Sequence, residues 1–256
     1  MAGVPASTGE NCAKRLRDLI LASDDDALCS VLLDARLQAA LSDGSNLGAL
    51  PAWLTSQALA VPILCPEAAV LLATELQRTV AARPGLRRYE ITECDETDVS
   101  AVAARVAGFL YHRVMPKLLP LLAGQDGVQM CTEFLAYALY YTPSNALQDG
   151  GRVFKCHVDD SDVTLAVCLG SSWRGADLVY IAPQAGKDRP GTPDVDDPQT
   201  EKVRHVHACG TGVLHVGEAY HMVTPLEEGE RFSFVIFGMR NDADWKSTFY
   251  SEMMRA

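Results

Sequence analysis

The sequence lacks a basic cluster, a closely spaced cysteine pair, an internal repeat and any uninterrupted apolar run of membrane-spanning length. Each absence excludes something. The most apolar window, residues 51–73, is broken by Pro62, Pro66 and Glu67. A membrane span needs about 20 nearly unbroken apolar residues, so no membrane association is expected. With 33 Asp+Glu against 22 Lys+Arg the net charge is -11, which repels phosphate backbones unless cations are grouped; nucleic acid is not an expected partner. The first ten residues carry neither the basic nor the apolar segment of a secretory signal. The eight cysteines are scattered without a CxxC pair, which predicts reduced, core-filling thiols in a cytoplasmic or nuclear protein.

What is present reads as a globular chain. Of 256 residues, 48% are hydrophobic and 21% charged, enough for one large or two small domains. A chain of this length buries roughly 70–75% of its unfolded surface, so it needs no disulfide or structural metal to fold.

The first half carries helical periodicity. Leu16, Leu19 and Ile20 form one stripe, and Leu28, Val31, Leu32 and Ala35 another, so two helices are predicted before residue 43. The run Ser23-Asp24-Asp25-Asp26 between them suits a helix N-terminus. A third helix is predicted from Pro66 to Pro84-Gly85, with Leu72, Leu76 and Val80 on one face. A fourth starts near Thr97 or Asp98 and is ended or kinked by Pro116. Arg88 to Cys94 reads as a short strand.

From Cys131 the period changes to two. Strands are predicted over 131–141, 153–159, 163–169, 177–182, 203–207, 211–216, 221–224 and 231–238. Many short strands with no helix among them indicate an antiparallel sandwich or jelly roll covered on one face by the helices, an α+β fold. The division expected is a helical region over 1–125 and a β core over 126–256. The Pro- and Asp-rich segment 183–201 has no apolar pattern and is expected to be a mobile lid or binding loop.

The chemistry concentrates in this second half. His157-Val158-Asp159 sits in a strand pattern, where residues i and i+2 share a face and can ligate one ion. HxD triplets also occur by chance, so the reading needs a second signal. His221 supplies a third ligand, and Arg231, ten residues later, supplies a planar cation suited to a carboxylate. Two His and one carboxylate leave coordination positions open, the facial triad of non-haem Fe(II) oxygenases. Ser233 shares the face of Arg231 and can reach the same carboxylate.

With these residues assembled, the span from Glu133 to Trp245 resembles the catalytic core of the iron- and 2-oxoglutarate-dependent dioxygenases, within them the prolyl 4-hydroxylase-like branch. The matching residues are His157-Val158-Asp159, Thr164 to Leu169, Trp173 to Leu178 in place of a GGxL-type turn, Gly212 to His215, and an H-x-V-x-P-x-x-x-G-x-R string from His221 to Arg231. The resemblance implies a double-stranded β-helix holding Fe(II) through His157, Asp159 and His221. It implies 2-oxoglutarate as co-substrate, with its distal carboxylate on Arg231, and conversion with O2 to succinate and CO2 as a C–H bond is hydroxylated. Ascorbate is the implied supporting reductant, and a proline-containing protein or peptide the implied substrate. Where the branch has Leu-Asn this chain has Leu169-Gly170, and Cys168 stands where some prolyl hydroxylases carry a co-substrate tyrosine. Tyr140 or Tyr141 is the expected replacement, unless the tyrosine there is packed in the core, and Thr164 is a further candidate.

Other polar residues are read as structural. His205 and His207 near Cys209 lack further ligands, His215 is expected to line the core, Arg240, a rival to Arg231 that falls beyond the apolar run, to lie at the surface or on the substrate side, and His112 carries no signal. Rival readings are the same chemistry on a small molecule or nucleobase, and a metal-binding jelly-roll module without turnover. Nucleic-acid demethylases of this superfamily carry a second arginine six residues after the first, where this chain has Phe237.

Overall fold

The computed structural model describes residues 6–43, 47–82, 88–91, 101–122, 133–143, 155–170, 172–181, 198 and 200–239. Three helices precede residue 44 rather than two: α1 (Ala6–Ala22), α2 (Asp25–Leu32) and α3 (Ala35–Asp43). The Asp24 carboxylate caps α2 by accepting from the Ala27 amide at 2.9 Å, as its place in the acidic run suggested. Helix α4 (Pro66–Ala82) starts at its proline. Helix α5 (Ala101–Phe109) widens into a π-helical turn over Leu110–Val114 before α6 (Met115–Leu118). Pro116 has no amide hydrogen and its ring crowds the carbonyl four residues back, so the turn ahead of it loosens instead of the helix stopping. No helix among the described residues is long and apolar enough to cross a membrane.

Seven strands form one antiparallel sheet in the order β1 (Ala52–Thr55), β2 (Ala58–Pro62), β9 (Thr211–Val216), β5 (Val163–Leu169), β12 (Arg231–Met239), β4 (Glu133–Tyr141), β3 (Arg88–Glu90). A three-stranded sheet, β10 (His221–Val223), β7 (Leu178–Ile181) and β8 (Lys202–His205), and a two-stranded one, β11 (Leu226–Gly229) and β6 (Trp173–Gly175), complete the double-stranded β-helix. Sequence periodicity missed β1 and β2, whose residues sit in an apolar stretch too short and uniform to show alternation. β2 pairs onto β9 and β1 onto β2, extending the large sheet from the helical half of the chain.

Strand β12 is paired along both edges, with β4 and β5, so its two faces have different fates. Phe232, Phe234 and Ile236 join the main core with Phe109, Leu72 and other helix residues; burying each such side chain contributes about 1.5–3 kcal/mol. Val235 and Phe237 point the other way and form a smaller cluster with Leu135, Tyr137 and Ala166 inside the barrel. Arg231 and Ser233 lie on this interior face by the same alternation.

Three expectations need correction or fall elsewhere. His157 and Asp159 are not in a strand: residues 155–162 form a loop held to the barrel by a bridge between His157 and His221 and by backbone bonds of Asp159 and Asp162. Among the described cysteines Cys168 is buried and Cys29, Cys65 and Cys209 are half-buried against the main core, whereas Cys156 is half-buried away from it and Cys12 is exposed, so the core-filling reading fails for the last two. Arg240 and the 183–201 segment, apart from 198, 200 and 201, lie outside the described residues.

Candidate active site

The loop before β5 and the strand β10 bring the first three site residues together. His157 and His221 exchange both backbone hydrogen bonds, each at 2.9 Å, which places their imidazole centres 4.3 Å apart. Asp159 is held by its own amide, which donates to the Gly217 carbonyl at 2.9 Å. Gly217 in turn donates to the Asp162 carbonyl at 3.0 Å, tying the metal loop to the turn ahead of His221. A Cβ at Gly217 would stand 1.7 Å from the Ser161 carbonyl oxygen, so no side chain fits without moving that loop. Gly217→Ala is therefore expected to cost about 2–4 kcal/mol and to lower Tm by roughly 4–16 °C at about 2–4 °C per kcal/mol for a chain this long. Thermal unfolding checks it; an unchanged Tm would show the loop to be free of that turn.

One ligand atom from each of His157, Asp159 and His221 lies within 4.8 Å of the others, the sole such group among the described residues. Asp159 Oδ1 is 3.7 Å from Nε2 of both histidines. The imidazoles are oriented for coordination: Nδ1 of His157 donates to the Lys155 carbonyl at 2.8 Å and Nδ1 of His221 to that of Ala219 at 2.9 Å, which leaves both Nε2 lone pairs free. Charge states agree. Burial pushes His221 down to about 4, against the upward pull of Asp159. Burial opposes charge on Asp159, yet His221, His215 and the Thr164 hydrogen bond hold its carboxyl below the ordinary range. A neutral imidazole at His221 and an ionised carboxylate at Asp159 are the forms that bind a metal ion. His157 is the exposed edge of the group at 44%, against 8% for His221.

A cavity of 220 Å³ opens beside these residues, lined among others by Tyr141, Thr164, Tyr180, His215 and Ser233. Arg231 is fully buried at its end of β12. Its guanidinium lies 4.6 Å from the centre of the Tyr141 ring, and Nη1 donates to the Ala176 carbonyl at 2.8 Å. Nε and Nη2 have no hydrogen-bond partner. A buried cation with two unmet donors is costly unless a ligand anion completes it. The donor set thus fits both groups the resemblance implies: the open triad fits Fe(II), and the buried fork fits a carboxylate of 2-oxoglutarate.

The structure sorts the remaining candidates. Tyr141 shares the interior face with Arg231, its register partner, whereas Tyr140 faces outward and stacks on Phe232. Ser233 is buried and lines the cavity. Thr164 lines the cavity but donates its hydroxyl to Asp159 Oδ2 at 2.7 Å, so its proton is committed to the carboxylate of the candidate triad. His215 is a correction. It lies in the site, with Nε2 3.5 Å from Asp159 Oδ2 and its ring 4.8 Å from that of His221. It was read as core because β9 is apolar throughout; its alternation into the barrel was visible only once β9 was known to pair with β5, opposite Thr164. Tyr180, missed entirely, sits opposite His221 in the β7–β10 pairing, with a buried hydroxyl lacking a partner. His205 and His207 pack against each other, ring centres 5.1 Å apart, outside the triad.

No protein-family model matches the chain. Human 2-oxoglutarate and iron-dependent oxygenase domain-containing protein 2 is 30% identical over 132 residues, which cover 50% of this chain and 33% of that protein. Its Xenopus tropicalis counterpart is 26% identical over 188 residues, 71% of this chain and 49% of that protein. The chain thus spans half or less of the length of these relatives. Among solved structures, a Pseudomonas putida prolyl-4-hydroxylase matches with a TM-score of 0.50 at 17% identity, covering 80% of this chain and 100% of that one. A non-heme alpha ketoglutarate dependent epimerase from nogalamycin biosynthesis also scores 0.50, at 15% identity, with 81% and 86% coverage. These two likenesses are of fold. A double-stranded β-helix with a His-Asp-His group at its open edge defines a class of non-haem metal oxygenases. The chain is thus similar to relatives named for iron and 2-oxoglutarate, and it carries a His-Asp-His group suited to a metal ion.

Proposed function

We propose that the protein is an Fe(II)- and 2-oxoglutarate-dependent dioxygenase of the prolyl 4-hydroxylase-like branch, acting on a prolyl side chain of a protein or peptide. The observation that carries the co-substrate assignment is Arg231: a buried guanidinium with two unmet donors, at the end of the strand that follows the triad. His157, Asp159 and His221 would hold the iron. When bound, the metal supplies O2 activation, with 2-oxoglutarate as the electron donor for hydroxylation. The chain's own part is to bind and orient. Arg231 and Ser233 take the distal carboxylate, Tyr141 packs on the guanidinium, and the apolar barrel wall excludes water.

The prolyl assignment is supported by the fold shared with a bacterial prolyl-4-hydroxylase and by His157, whose exposure makes the metal edge reachable by a side chain of a macromolecule. The net charge of -11 supports a peptide over a nucleic acid. No membrane partner is proposed, ascorbate is the proposed supporting reductant, and the scattered cysteines favour a cytoplasmic or nuclear setting. The fold shared equally with an epimerase from nogalamycin biosynthesis favours, as second reading, the same chemistry on a small molecule.

The test starts without a substrate. Anaerobic addition of Fe(II) and 2-oxoglutarate is expected to produce the visible charge-transfer band of a chelated keto acid. Proline-containing peptides are then expected to gain one oxygen atom in step with succinate. Tight Fe(II) binding without the band would overturn the dioxygenase reading. Succinate production stimulated by small molecules and by no peptide would select the second one.

A further inference from the structure

The two oxygens of Asp159 have separate surroundings. Oδ1 faces the histidine Nε2 atoms at 3.7 Å. Oδ2 is turned away from them and accepts from the Thr164 hydroxyl at 2.7 Å, with His215 Nε2 at 3.5 Å. A hydroxyl has one proton to give. Since Thr164 commits its proton to Asp159, the 2.9 Å contact between Ser161 Oγ and Thr164 Oγ1 has Ser161 as donor. The result is a directed chain from Ser161 through Thr164 to Oδ2.

Both ends of this chain are fixed. Thr164 is buried near the start of β5 and paired on both sides, to His215 of β9 and Phe237 of β12, so its hydroxyl cannot drift with the loop. The loop is tied by the two backbone bonds around Gly217. We propose that Thr164, oriented by Ser161, is a positioning residue that restricts Asp159 to a one-oxygen metal ligand through Oδ1. This inference rests on the dioxygenase reading for its purpose. An Asp159 chelating through both oxygens would take a position that a keto acid or O2 requires, whereas one oxygen leaves the triad's open positions intact. The chain also spares the metal ligand the entropy of choosing an orientation on binding.

The test is Mn(II) affinity of the full chain, measured by calorimetry without co-substrate in Thr164→Val, Thr164→Ser and Ser161→Ala. Thr164→Val keeps the β-branched shape and loses the hydroxyl. Removing a partner of a metal ligand weakens binding about 10–100-fold; Ser at 164 is expected within about 3-fold of wild type, and Ser161→Ala at about 3–10-fold weaker. Unchanged affinity in Thr164→Val overturns the proposal, and so does an equal loss in the Val and Ser variants, which would point to packing rather than the hydroxyl. If Thr164→Val does not fold, Ser161→Ala carries the test from the half-buried turn outside the strand, and unchanged affinity there overturns the chain. The two readings fail separately. Wild type that binds Mn(II) with this variant pattern but gives no Fe(II)–keto acid band removes the dioxygenase and leaves the positioning role standing.

Discussion

Replacing Arg231 with Met is expected to abolish measurable 2-oxoglutarate binding at ordinary concentrations while leaving Fe(II) bound and the free protein at least as stable as wild type. The first half follows from the two unmet donors, Nε and Nη2. Each charge-assisted hydrogen bond to a carboxylate is worth about 1.5–3 kcal/mol, so losing a forked pair weakens binding by roughly 100-fold to 10,000-fold at 1.4 kcal/mol per decade. The proposed metal ligands come from the 155–162 loop and β10, not from β12, so Fe(II) is expected to stay. The second half follows from burial. A guanidinium removed from water and only partly paired opposes folding, and an apolar side chain of similar length often restores 1–4 kcal/mol. The lost contact to Tyr141 and the freed Ala176 carbonyl work the other way, about 1–3 kcal/mol for an unmet buried acceptor. Titration of the charge-transfer band and a melting curve without ligand measure both halves. Wild-type co-substrate affinity in this variant would show that the carboxylate clamp lies elsewhere.

Asp159→Ala is expected to remove metal binding altogether. Asp159 is the only anionic member of the group, and its pairing with three imidazoles holds it ionised despite burial. Without it a divalent ion would meet only neutral ligands in a site already close to histidine-rich. Losing about 4 kcal/mol or more corresponds to roughly 1,000-fold in affinity. Calorimetry with Fe(II) under anaerobic conditions, or with Mn(II) in air, checks it. Retention of binding within about tenfold, some 1.4 kcal/mol, would mean that His215 or another group substitutes and that the triad assignment is wrong. Arg231→Met and Asp159→Ala together separate the two halves of the site, since one is expected to lose the keto acid alone and the other both partners.

Much of this site was legible before any coordinates. His157, Asp159, His221 and Arg231 could be picked because their order and spacing, and the apolar strand that follows Arg231, are properties of the chain itself. Alternation along β12 put Arg231 and Ser233 on one face, and alternation along β4 left Tyr140 and Tyr141 on opposite ones without saying which faced inward. That choice needed a partner strand. Pairing Arg231 opposite Tyr141 turned Tyr141 into the barrel and Tyr140 onto Phe232.

The residues misjudged are those whose role depends on a contact between elements distant in sequence. His215 and Tyr180 occupy strands buried on all or nearly all residues, so no local pattern marks the side facing the candidate site. The alternation around His157 predicts a strand, but the segment makes one isolated bridge, across the site, and no continuous ladder. Thr164 was assigned to the co-substrate by its place on the strand after Asp159; its hydroxyl is instead taken up by Asp159 Oδ2. The sequence by itself determined the ligand types, their order and the alternation that separates the barrel interior from the helix-covered face, because these follow from covalent order and side-chain period. Only the tertiary structure decided which oxygen of Asp159 meets the histidines, which tyrosine enters the barrel and that a third imidazole joins the site. Those outcomes are set by strand register and by hydrogen bonds across more than 50 residues of chain, such as that from Arg231 to Ala176, and neither leaves a local trace.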